Sequence, residues 1–172
     1  MKADTMLVKK NDERVQEAFL LLLSYLQQQE ALKWSADDFF SFEKEKFKLQ
    51  MDDRKGPNYL SAKWGVGIDV IECSSMSIQA EQGPNHPSKT QDSTLLIDAI
   101  LETIGCENKA TTNDISMPHL YLMIGNCCSM FEQEEIWKKL TDRVASLPFQ
   151  TMIYDRIYLG FADHSVRLVY AK

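Results

Sequence analysis

The chain has 172 residues, 44% of them hydrophobic and 26% charged, with a net charge of −6. That is enough apolar material to bury one sizeable core, and it excludes a globally disordered chain. The longest apolar run, AFLLLLSYL, falls far short of the roughly 20 residues needed to span a bilayer.

The opening stretch MKADTMLVKKNDER lacks the apolar centre of a secretory signal, so a cytoplasmic home without membrane association is the expectation. Residues 1–10 read as a flexible tail. Asn11 or Asp12 can cap a first helix reaching Glu30, in which Val15, Ala18, Phe19, Leu22, Leu23 and Leu26 recur at helical spacing. Ser35 and Asp38 form an S-x-x-D capping signature before a second expected helix, about 36 to 51. Together these make an N-terminal helical pair over 11–51.

Residues 66–79 carry β-branched residues in rough alternation and read as a strand. Gly65 and Gly67 precede that strand instead of following one, so they suggest a bulge or a close backbone approach and not a phosphate loop. GPNHPSKTQDS is a loop. A helix follows from Asp92 or Ser93, with Gly105 as its expected stop. HLYLMIG reads as a buried strand. Ser129 and Glu132 look like a capping box that opens a helix over 130–147. QTMIYDRIYLGF and SVRLVYA, separated by ADH, read as a hairpin. The sum is a single α+β domain over 1–172, with its sheet-and-helix core at 64–172. It has a mixed, mainly antiparallel sheet, helices packed on one face and the N-terminal helical pair.

Charge is uneven along the chain. Residues 64–136 hold eleven acidic side chains and only Lys89 and Lys109 as bases, whereas residues 1–63 balance and 137–172 are net basic. Carboxylates repel phosphates, so this segment speaks against nucleic acid as a partner and favours a basic protein. The favoured reading is a non-catalytic, acidic protein-binding module of inhibitor, immunity or adaptor type. Its candidate contacts are Glu81, Asp92, Glu107, Asp114, Glu132, Glu134 and Glu135. The leucine-rich first helix could also dimerise the chain.

The alternative is a hydrolase. PHLYLMIG, a helix and then DRIYLGF resemble the second half of the two-histidine phosphoesterases. In that family, paired His-x-Thr/Ser motifs flank a cleft and their histidines act as acid and base on a phosphodiester. The resemblance covers about 45 residues and would make His119, working with His86 or His164, the catalytic group. Tyr121 stands where the family carries Thr or Ser, while His86-Pro87-Ser88 keeps the pattern. Cys127, at a strand-to-helix bend, is a candidate nucleophile, although an extended strand would hold it roughly 26 Å from His119. Cys73, Cys106, Cys127 and Cys128 lack CxxC spacing, so reduced thiols are expected, with no metal and no cofactor.

Overall fold

The computed structural model describes residues 2–41, 57–72, 89–110, 118–147 and 152–172. In chain order these form α1 (Lys2–Gln29), a 3-10 turn (Ala36–Asp38), β1 (Phe40–Ser41), β2 (Tyr59–Ser61) and β3 (Val66–Glu72). Next come α2 (Lys89–Ala110), β4 (His119–Cys127), a second 3-10 turn (Ser129–Glu132), α3 (Glu134–Ala145), β5 (Arg156–Phe161) and β6 (Val166–Ala171). The fold is α+β around one mixed six-stranded sheet whose spatial order is the sequence order, β1 to β6. Three of the five pairings are antiparallel; β3–β4 and β4–β5 are parallel.

The topology follows from the connections. Parallel neighbours need a crossover, and crossovers are right-handed. Both steps, β3 to β4 and β4 to β5, move the same way across the sheet, so α2 and α3 fall on one face. Their core includes Leu96, Ile100, Ile104, Phe131, Leu140 and Val144, packed on Leu120, Leu122 and Ile124. The alternate residues of β4, Tyr121 and Met123, point to the other face, where α1 lays down Phe19, Leu22, Leu23 and Leu26. The central sheet is therefore covered on both sides, which explains why β4 reads as an almost unbroken apolar run.

Local details depart from the sequence pattern. α1 begins at Lys2, ahead of the expected cap at Asn11; no Gly or Pro in 2–10 interrupts the helical ladder. The Ser35 capping box forms, with Ser35 N–H donating to Asp38 Oδ2 at 3.0 Å, but it heads a 3-10 turn that leads straight into β1. The second helix expected over 36–51 is thus replaced at 36–41, and its remainder lies outside the described residues. The expected strand beyond Glu72 lies there too. Gly105 does not stop α2: open space surrounds it, and Asn108 Oδ1 accepts the Ile153 N–H at 2.7 Å one turn later, tying the last turn to the chain before β5. Ser129 does not cap α3; Gln133 occupies that position with no side-chain cap. Gly65 takes a φ of 65° in the β2–β3 turn, and a Cβ on Gly67 would stand 2.5 Å from Pro57 Cγ, a close approach to a rigid ring.

Candidate functional site

The two ends of the sheet differ in chemistry. At the amino ends of β4 and β5, Asp155 organises the backbone. It accepts the Leu120 N–H at 3.0 Å, and its carboxylate lies 3.7 Å from His119 Nδ1 and 3.8 Å from Lys172 Nζ. Nearby, Arg156 donates to Glu30 Oε2 at 2.7 Å and to the Tyr158 hydroxyl at 3.2 Å, and its guanidinium lies over the Tyr121 ring. Burial drives the Tyr158 phenol well above its ordinary pKa, and the Tyr158 hydroxyl bond does the same for the Arg156 guanidinium. The Arg156–Glu30 pair fastens the chain just past α1 to β5.

The carboxyl ends of β3, β4 and β5 instead open into a groove of about 650 Å³. α1 forms one wall with Arg14, Glu17, Ala18, Leu20, Leu21 and Ser24; Glu72, Gly125, Asn126, Phe161, Ala162 and His164 form the rest. In doubly wound sheets a crevice opens where the strand order reverses. This sheet has no reversal, and its groove has a different origin. A bulge breaks the β4–β5 register between Ile124 and Cys127, with Asn126 at φ 57°. One extra residue turns Cys127 to the same face as Ile124 and pushes Asn126 outward. Small residues then leave room: a Cβ on Gly125 would stand 3.0 Å from Ala18 Cβ.

Two carboxylates line this groove. Glu17 and Glu72 line it, Glu72 pairing with Arg14 at 3.5 Å. The β5–β6 hairpin supplies the far rim. Its Phe161 N–H donates to the Ser165 carbonyl at 2.9 Å, and His164 sits at φ 66°. The Ser165 hydroxyl contacts Asp163 Oδ1 at 2.6 Å and Glu132 Oε1 at 3.1 Å. One hydroxyl proton serves one carboxylate at a time, so the shared Ser165 hydroxyl holds the two acids side by side without changing their charge. The Ser165 hydroxyl and N–H hold the Asp163 carboxyl below its ordinary pKa. Glu134 and Glu135, at the positive end of α3, pair with Arg167 at 3.3 Å and Lys139 at 3.8 Å.

The sequence candidates are therefore divided. Glu132, Glu134 and Glu135 gather at the amino-terminal end of α3, and none of them lines the groove. Glu107 lies elsewhere, half-buried near the end of α2, where burial first and Asp69 second raise its carboxyl pKa. Asp92 belongs to the first turn of α2, and Glu81, Asp114 and His86 lie outside the described residues. His119 and His164 share no cleft: β4 spans nine residues, roughly 25 Å, and the two imidazoles belong to opposite ends of the sheet. Cys127 is buried, its thiol donating to the Ile124 carbonyl at 3.3 Å, and Cys128 is buried beside it. A solvent-borne substrate would reach neither without opening the core.

Sequence reasoning missed Arg14, Glu17, Asn126 and Asp163. Glycine followed by asparagine inside an apolar strand was the available signal for the bulge. Among the described residues, no three His, Cys, Asp or Glu side chains converge in a way that could hold a metal ion, and no helix is long and apolar enough to cross a membrane. Searches against protein-family models, curated proteins and solved structures found no match.

Proposed function

We propose that this chain is a non-catalytic binding module that recognises a basic segment of another protein at the carboxyl ends of β3–β5. One observation carries the reading: Glu17 and Glu72 line the groove with Arg14 as the guanidinium in that lining, and Asp163, between the lining residues Ala162 and His164, is joined through the Ser165 hydroxyl to Glu132. An apolar depression with acidic walls attracts cations by long-range field and retains apolar surface by contact. An inhibitor, immunity or adaptor role fits this chemistry. A cytoplasmic setting fits the exposed thiol of Cys106.

The test compares a fluorescent lysine-rich peptide with a glutamate-rich one of equal length, by anisotropy over rising salt. The lysine-rich peptide binds, and its affinity falls as salt rises. Glu17→Lys with Glu72→Lys weakens it far more than a matched charge change on exposed α2, Glu102→Lys with Asp98→Lys. Equal weakening by the two double variants would reduce the effect to net charge and defeat the proposal, as would affinity indifferent to salt.

A further inference from the structure

Resting on that reading, we infer that the groove is an anchor pocket: it takes one large apolar side chain of the bound segment, with lysine or arginine on both sides of the anchor. The floor carries this step. Leu20 leaves 42% of its surface in water on α1, one of few large apolar residues so exposed among those described. It stands with Leu21, Ala162 and Phe161 around a hollow of about 650 Å³, a volume in the range that receives small organic ligands and buried anchor residues. Apolar surface of this kind gains free energy only when water leaves it.

The rim sets what may flank the anchor. Glu17 and Glu72 line the groove beside α1, and on the hairpin side Asp163 sits between the lining residues Ala162 and His164, with Glu132 joined to it through the Ser165 hydroxyl. A segment crossing the groove therefore meets carboxylates before and after its anchor. Asn126 and His164, both turned outward by left-handed backbone, put polar side chains at the edge, where a peptide's own N–H and C=O groups must be satisfied. Phosphorylated ligands are disfavoured by the same carboxylates. A second copy of this chain is disfavoured too, because it brings a net charge of −6 to a negative face.

The experiment selects binders from a random short-peptide library against the full chain, then titrates one selected peptide. Selected sequences carry a Leu, Ile, Met, Phe or Trp with Lys or Arg on both sides. Ala162→Trp, which fills the hollow from an exposed turn position, weakens that peptide by about ten- to a hundredfold, the worth of burying one large apolar side chain. Leu20→Gln on exposed α1, which adds no charge, does likewise and serves if Ala162→Trp fails to fold, and so does changing the peptide's anchor to Ser. Lys/Arg enrichment with affinity indifferent to all these changes overturns the anchor pocket and leaves the basic-partner reading standing. Selection without Lys/Arg enrichment, or with no binder above background, overturns both.

Discussion

Arg156 reaches across 126 residues of sequence to donate to Glu30 at 2.7 Å, joining the first strand residue of β5 to the C-terminal end of α1. The pair is half-buried, and the Tyr158 hydroxyl donates to the same carboxylate at 3.2 Å. Removing one partner strands a charge that has lost part of its water. Glu30→Gln or Arg156→Met should therefore cost about 2 kcal/mol, near the value of a charge-assisted hydrogen bond. Thermal melts should show a fall of about 4–8 °C for a chain of this size. Tyr158→Phe, which removes a hydroxyl and leaves the ion pair, should cost less.

How much of this was legible beforehand depends on how local each cause is. The leucine stripe of α1, the run of β4 and the β5–β6 hairpin are written in periodicity, because the residues that bury them repeat within a few positions. The Ser35 box is legible for the same reason. Parallel pairing is not: β3 meets β4 through Val66 and His119, with a whole helix between them, and no adjacent pattern announces the partner. The Ser129–Glu132 signature shows why motifs mislead. Glu132 receives the Ser165 hydroxyl from a distant hairpin, so the tertiary contact wins over the local cap. The charge map located acids in sequence, but Arg14 and Arg143, which pair with Glu72 and Asp98 in solvent-accessible contacts, come from elsewhere in the chain.

The contact of Gly125 with Ala18 sets how closely α1 approaches the sheet, and so shapes the groove floor. A methyl on Gly125 would stand 3.0 Å from Ala18 Cβ, with neither atom able to rotate away. Gly125→Ala should cost about 1–3 kcal/mol by overpacking. Ala18→Gly alone costs about 1 kcal/mol in helix propensity. The double variant should be more stable than the sum of the two single losses. Denaturant melts of all four proteins measure that coupling, and strict additivity would mean that the helix does not rest on Gly125.

The two caps predict opposite sensitivities. Ser35→Ala removes the acceptor of the Asp37 N–H and should cost about 1 kcal/mol, the usual worth of an N-cap. Ser129→Ala removes no cap and should leave the melting temperature within experimental error. Equal losses at both positions would show that Ser129 supports the second 3-10 turn after all.

Acid stability separates two carboxyls. The Trp64 indole N–H at 2.8 Å, then the Ser35 N–H, lower the Asp38 pKa, so Asp38 contributes stability above its unfolded pKa and loses it as pH falls through the folded one. Glu107 has the opposite sign. Burial and Asp69 raise its pKa, so the fold favours the protonated form. That stability is fully present below the unfolded pKa of about 4.3 and is lost as pH rises through the folded value. Glu107→Gln should thus stabilise the protein at neutral pH and give no gain near pH 4. Asp38→Asn should destabilise it at neutral pH, with the loss shrinking in acid. Melts across pH check both, and a Glu107→Gln gain that grows toward acid pH would contradict the assignment.

His164 is held at φ 66° in the hairpin turn, a conformation that costs a residue with a Cβ about 1 kcal/mol or more and glycine almost nothing. His164→Gly should raise stability by about 0.5–1 kcal/mol, a gain of about 1–4 °C. If that histidine is kept because it faces the groove, the same variant should weaken a selected basic peptide while the fold grows more stable. Loss of binding together with a gain in melting temperature is the signature of strain kept for recognition. A stabilised variant with unchanged affinity would mean that the imidazole only occupies a turn.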